Sequence, residues 1–448
     1  MKREESLYRV TIIPFLNTPP LSDVGLLLYL LPVWWILGIE QFIWLPGFGL
    51  AALKVIARRK KVKFVSTLRW MYLFLITNLV SGLFIEEGFR IISFLRAFGC
   101  YVAIFFLVFI LTNEIHSWDQ IDLLLRRLIF TILLASLVGI LGIVGLWRPV
   151  IPSIAGFFFP DWSRNSDYGI IITFRDIGYI GWFLGVDYFR VSSFFLYPTL
   201  YASVLAATLP MIFFYTAWSE EFKTRIFWGL AIIVVFVNLL WTTGRIAIIS
   251  FLIGACYYAI AFSRVKYFFR YGLVTLLFFL ALTIMITEEV RGYLIWLYET
   301  LILARGSGSY YSRLLVYIET VRLFVDRPLF GWGTELDLPN VGYPAGSHSY
   351  YLGVLFRYGL IGLLTFTGLF WSVWKKTRPL NQKNSEKLGK FLEYGRWIMV
   401  LVLVNSLTDS LDIDATTLVI IWLYFSLLIS ARGIAETRNK ITTLLERS

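Results

Sequence analysis

Runs of roughly 17–25 residues dominated by Leu, Ile, Val, Phe and Trp recur from residue 24 to residue 431. This recurrence limits the chain more than any motif does. A run of that length crosses a hydrocarbon layer about 30 Å thick as a helix, whose backbone N–H and C=O groups are satisfied internally. The expected fold is an all-α polytopic membrane protein with about twelve transmembrane helices. The windows fall near 24–38, 40–57, 70–85, 91–113, 127–147, 198–217, 226–242, 245–262, 271–287, 349–374, 396–409 and 415–431. Pro46 and Gly47 interrupt the second window, so the first pair reads either as two spans or as one re-entrant hairpin. Composition agrees: 58% of residues are hydrophobic, against about 45–50% in an ordinary soluble domain. The charged, proline-broken N-terminus up to Asp23 lacks the pattern of a cleavable signal peptide. Cys100 and Cys256 both lie inside apolar runs and read as small core residues, with no disulfide or metal site implied.

Basic residues cluster in alternate connections: Arg58 to Lys63, Arg126 and Arg127, Lys223 and Arg225, Arg264 to Arg270, and Lys375 to Lys390. The positive-inside rule makes these loops cytoplasmic and puts both termini on that side. Two long segments, 148–197 and 288–347, contain no lysine and fall on the opposite face. They are the expected extracytoplasmic loops of a single 448-residue integral membrane domain. The net charge of +12 then reports topology and contact with anionic membrane lipids, and does not indicate a nucleic-acid partner.

The first loop is rich in rings, among them Trp147, Phe157, Phe158, Phe159, Trp162, Tyr168, Tyr179, Trp182 and Tyr188. Such rings stack on sugars, or rest at the membrane interface as an aromatic belt. In the second loop, the run from Ser312 spaces Leu314, Leu315, Ile318, Val321 and Val325 along one helical stripe, with Glu319, Arg322 and Asp326 opposite. The pattern predicts an amphipathic helix that ends before Pro328, with Arg322 and Asp326 placed to pair. Residues 293–303 are apolar enough to lie in the outer interface. Together the two segments form either a lid over the membrane mouth or a structural cap.

Three residues stand at outer helix ends: Arg190 ahead of the helix opening at Pro198, Arg245 at the start of TTGRIAIISF, and His348 at the start of SHSYYLG. An arginine at a positive helix N-terminus is opposed by roughly 0.3–1 kcal/mol, so helix propensity does not explain Arg245. An anion resolves the conflict if Arg245 and the N–H groups of Thr242, Thr243 and Gly244 form a phosphate cradle. The alternative is an arginine reaching to lipid headgroups. At His348 the same field disfavours imidazolium and keeps the ring able to accept a proton. The alternative there is an interfacial histidine with no chemical role.

FRVSSFFLYPTLYA (189–202), TTGRIA (242–247), SRLLVYIETVRLFVDRPLFGWG (312–333) and SHSYYLGVLFRYGLIG (347–362) together resemble the O-antigen ligase and polymerase family of bacterial envelope glycosyltransferases. The resemblance implies a type C glycosyltransferase-like helical membrane fold with a helical extracytoplasmic loop. The implied location is the cytoplasmic (inner) membrane, with the active site at its outer face. The implied donor is an undecaprenyl-diphosphate-linked glycan, and the implied acceptor is a glycan or a lipid-linked repeat unit. A chain-length regulator is a further implied partner. By motif, Arg190 and Arg245 would bind the diphosphate and His348 would act as general base or position the acceptor. Arg313, Arg322, Ser349 and Tyr350 would contact donor or acceptor. Ser349 departs from the family, which more often has Asn after the histidine, and serine keeps donor and acceptor ability.

No cofactor is expected, and no metal-ligand spacing occurs in the outer loops. A diphosphate held by arginines is already a good leaving group, so a metal-independent transfer needs mainly acceptor positioning and proton removal. The leading expectation is a surface-polysaccharide polymerase. The alternative is a ligase that moves the finished glycan to lipid A core or another acceptor. From another class, a polysaccharide flippase would bury its charges along a central path between repeated halves, and no repeat is visible here.

Overall fold

The computed structural model of the chain describes residues 18–59, 61–158, 167–183, 186–262, 307–338, 341–378 and 386–445. It is largely α-helical. Helices α1 (Pro20–Tyr29) and α2 (Leu31–Leu37) form a pair bent by 58°, and Gly38 closes α2 at φ 83°. Helix α3 (Trp44–Arg58) takes up Pro46 and Gly47 in its first turn, where proline forfeits no intrahelical bond. From Trp44 onward the second apolar window is therefore an uninterrupted helix. Next come α4 (Ser66–Gly82), α5 (Gly88–Glu114) and α6 (Trp118–Ile143). A capping box of Ser117 and Gln120 starts α6.

Residues 148–197 depart from the all-α expectation. They hold β1 (Ile151–Pro152), α7 (Ile154–Phe158), α8 (Asp167–Thr173), β2 (Phe174–Arg175), β3 (Gly178–Phe183) and β4 (Val186–Val191). β1 pairs with β2 and β3 with β4, both antiparallel, and Tyr179 stands opposite Arg190. The sequences GYIGWF and VDYFRV are rich in aromatic and β-branched residues, which suit a pleated ladder better than a helix. Arg175 reaches back from β2 to Glu40, making an ion pair of 3.0 Å in which both side chains are buried. That pair ties the loop to the turn between α2 and α3.

The chain continues through α9 (Pro198–Trp218), α10 (Phe222–Trp241), α11 (Arg245–Phe262), α12 (Ser307–Phe324), α13 (Tyr350–Lys376), α14 (Glu386–Asn405) and α15 (Ala415–Leu445). α9 and α15 form the centre, with 83% and 89% of their membrane windows buried, whereas α10 and α11 bury only 28% and 22% and lie at the periphery. The Tyr424 hydroxyl of α15 donates to Thr208 of α9 at 2.9 Å, joining the two central helices.

Among the described residues, seven helices are long and apolar enough to cross a membrane, or eight if the bent α1–α2 pair is one span. This is a multi-pass membrane protein, with fewer clear spans than the twelve windows suggest. At 15 and 17 residues, α3 and α4 are short for a span, and α14 carries five charges from Glu386 to Arg396. The window at 271–287, the interfacial segment at 293–303 and the basic cluster at 264–270 lie outside the described residues. Cys100 is buried as expected, but Cys256 is exposed because the peripheral α11 turns that face outward.

Candidate functional site

Arg190 is the best-anchored of the expected residues. Its Nε donates to the carbonyl of Thr242 (3.2 Å) and to Thr243 Oγ1 (2.7 Å), Nη2 also donates to Thr242 O (3.2 Å), and Nη1 takes the Tyr179 hydroxyl as acceptor (2.5 Å). The β3–β4 hairpin thus places its guanidinium against the TTG turn, immediately before Arg245 opens α11. Two of the three expected residues are brought to one place.

The phosphate cradle of backbone N–H groups does not form. Thr242 N donates to Asn238 O, Thr243 N to Leu240 O, Gly244 N to Thr242 Oγ1 and Arg245 N to Thr243 O. The turn consumes its own donors by folding back through Thr243 at φ 52°. Any anion bound here must be held by the arginine side chains.

His348 does not open a helix. Ser349 is the N-cap of α13, accepting from Leu352 N at 3.4 Å, so its hydroxyl is occupied by the helix end. His348 precedes the cap in the left-handed region at φ 61°, and α12 holds it there. The Tyr317 hydroxyl donates to His348 O (2.8 Å), and Thr320 Oγ1 accepts from Gly346 N (2.9 Å). The imidazole packs edge-on to Tyr343, and its Nε2 is buried with no hydrogen-bond partner among the described residues. Burial, with Arg313 adding to it, pushes the His348 pKa down to about 4, so the ring is neutral at physiological pH.

A fourth group joins this cluster without having been expected. Asp409, between α14 and α15, is buried, with Oδ2 lacking a partner among the described residues. Burial raises its pKa to about 7, against the pull of Arg313 and Arg190. Arg313 and Asp409 also act in opposite directions on Tyr317, whose pKa burial raises. Among the described residues no hydrogen bond joins His348 to Arg190. Arg313 lies close enough to lower the pKa values of both His348 and Asp409, and Arg190 also lowers that of Asp409. Thr408 Oγ1 and Ser410 Oγ, flanking Asp409, are likewise buried without partners among the described residues. The signal was present in the sequence LTDSLDID, three carboxylates between two apolar windows.

Other expected contacts lie elsewhere. Arg322 is nine residues beyond Arg313, half a turn around the helix in net rotation; it is exposed and paired with Glu319 at 3.6 Å. It does not pair with Asp326, because α12 ends at Phe324. Tyr350 points into the core, its hydroxyl 3.2 Å from that of Tyr101 and its ring set against Phe366. The apolar stripe of α12, from Leu314 to Val325, is exposed, while Val316 and Thr320 on its other side are buried. Among the described residues no three His, Cys, Asp or Glu side chains gather as a metal site requires.

Ser193, Thr243 and His348 are the non-glycine residues with positive φ among the described residues. Thr243 touches Arg190, Ser193 follows it in the chain, and His348 lies in the field of Arg313. Left-handed backbone in side-chain-bearing residues concentrates where a site is built.

The fold is that of a polytopic, largely α-helical membrane protein, with Arg190 on the turn before α11 and His348 just ahead of α13. Residues 230–367, about a third of the chain, match the family described as O-antigen ligase, so the chain carries a domain of that family. The match contains Arg245, Arg313 and His348, whereas Arg190 and Asp409 lie outside it. No curated protein matches the chain.

Proposed function

We propose that the protein is a glycosyltransferase of the ligase type, moving a finished glycan from a polyprenyl diphosphate carrier to the hydroxyl of another acceptor. The observation that supports the reading is that the buried Asp409 carboxyl lies in the field of both Arg190, which is seated on the TTG turn, and Arg313, which also acts on His348. The family description favours the ligase over the polymerase. In this reading the site faces the outside of the cytoplasmic membrane, and both termini are cytoplasmic.

The step joins the acceptor oxygen to the donor's anomeric carbon and breaks that carbon's bond to the diphosphate, which leaves with the electron pair. Arg190, Arg245 and Arg313 hold the charge that develops on the leaving group. His348 Nε2, buried and neutral, accepts a hydrogen bond from a neighbouring hydroxyl of the acceptor sugar and orients it, so that the reacting hydroxyl directs its own proton at Asp409. The proton passes to Asp409, whose pKa of about 7 suits a base working near neutrality. The arginines supply the positive charge that a metal would bring, so transfer is expected to survive EDTA. An absolute need for a divalent ion would overturn the mechanism.

The deciding experiment is the lipid-linked glycan profile of cells lacking the protein. A ligase defect leaves long polymer on the carrier. Accumulation of single repeat units would instead establish a polymerase, and single units trapped on the cytoplasmic face would establish a flippase.

A further inference from the structure

Helix α13 is broken. Gly359 has φ 68° and ψ −168°, outside the helical region, and the break releases backbone groups on both sides of it. The turn after α12 takes them up. Trp332 N donates to Phe356 O (3.0 Å) and Gly333 N to Arg357 O (2.8 Å). In the other direction Leu360 N donates to Pro328 O (2.8 Å) and Ile361 N to Leu329 O (3.3 Å). From α4, Ser81 Oγ stands within hydrogen-bond reach of both Phe330 O and Arg357 O, with one proton to donate to either. Three backbones meet here at distances no side chain allows: a Cβ on Gly359 would stand 2.2 Å from Leu329 O, and one on Gly333 would stand 2.6 Å from Ile85 Cγ1.

The seated turn is also fastened to α12. The Trp332 indole N–H donates to Leu323 O at 2.9 Å, and its ring stacks on Phe356. Helix α12 and the first part of α13 are therefore tied at two levels, by Tyr317 to His348 and by Trp332 to Phe356. Arg357, whose carbonyl receives Gly333, extends its guanidinium to Asp412 (2.6 Å), which also accepts from Tyr101 (2.8 Å). Asp412 lies three residues from Asp409 in the same connection.

We propose that the Phe330–Gly333 turn seated in the Gly359 break is a positioning element, and that Arg357 is the positioning residue through which it sets Asp409 and His348 against Arg313. The turn fixes α12, and with it Arg313, beside His348. The Arg357–Asp412 pair carries the same registration to the Asp409 connection. This rests on the transfer reading above for its effect on turnover, but the registration itself can be measured without turnover.

The test uses purified full-length protein in lipid nanodiscs with Cys256→Ser as background. Spin labels at Val321→Cys and Leu360→Cys, both exposed positions, report the spacing of α12 and α13. A narrow distance distribution is expected, broadened by Gly333→Ala. In glycan transfer, Gly333→Ala should lower kcat about ten-fold or more with KM within about two-fold, since misplaced reacting groups cost rate more than binding. Trp332→Phe keeps an aromatic ring against Phe356 and under Arg327 and removes the bond to Leu323. It guards against a folding defect and should lower kcat about three-fold with unchanged Tm. A narrow distribution that survives Gly333→Ala overturns the proposal whatever the protein transfers. Unchanged kcat despite a broadened distribution overturns the positioning role. A raised KM at constant kcat would overturn it in favour of substrate binding.

Discussion

Arg190 and Asp409 are equally buried, each 7% exposed, yet their surroundings are opposite. Arg190 spends its donors on Thr242, Thr243 and Tyr179, while Asp409 leaves Oδ2 unpartnered between Thr408 and Ser410, themselves unpartnered. A buried polar group without a partner costs about 1–3 kcal/mol. The protein meets that cost at Asp409 and His348 and avoids it at Arg190. The Arg190 corner is preorganised and can receive charge without rearranging. The Asp409 corner keeps Oδ2 and the hydroxyls of Thr408 and Ser410 without partners among the described residues, and in the proposed reading hydroxyl groups of the acceptor complete it.

If that division is correct, His348→Ala and Asp409→Asn remove groups that act only during reaction. Each should lower kcat by about 10²–10⁴ with normal folding, as single-turnover transfer and a melting curve would show. Loss of stability without loss of rate would erase the distinction. Arg190→Lys is the next largest: the ammonium keeps the charge but cannot span Thr242, Thr243 and Tyr179. Stability should fall by about 1–3 kcal/mol, read as a lower Tm, and donor KM should rise.

Arg313→Gln sharpens the comparison through pH. Removing a cation raises the pKa of a nearby acid, so the acid limb of kcat, near pH 7 in the parent from Asp409, should move to higher pH. His348, starting from about 4, would also rise. A limb that stays in place would dissociate Asp409 from the rate. Arg322→Ala should change kcat less than about two-fold, because an exposed ion pair contributes little.

Much of the scaffold was legible. Long apolar windows announce helices because a bilayer leaves the backbone no other open-chain solution, and eleven of the windows coincide with helices among the described residues. Span length was less legible: Trp44 to Arg58 is a helix, but a short one. The sequence put Arg190 and Arg245 at helix ends and joined the TTG turn to Arg245, whereas it is Arg190 whose guanidinium bonds to that turn. It could not reveal that the turn would use up its own N–H groups, since that depends on the φ of Thr243. Asp409 went unnoticed among three carboxylates of similar spelling. All three are buried, and their partners separate them: Asp414 caps α15 through Thr416 and Thr417, Asp412 pairs with Arg357, and Asp409 has no ion pair among the described residues. The break at Gly359 was hidden because FRYGLIG reads equally well as continuous helix.

The left-handed backbone at Ser193, Thr243 and His348 bears on how such a protein can change over time. Glycine would relax each position, and relief of strain is a common route to a sturdier protein. At Thr243 that route deletes the hydroxyl that Arg190 holds, and at His348 it deletes the imidazole itself. Robustness and turnover therefore compete at the same codons. A laboratory lineage selected only for heat tolerance should drift toward glycine there and lose transfer as it does so.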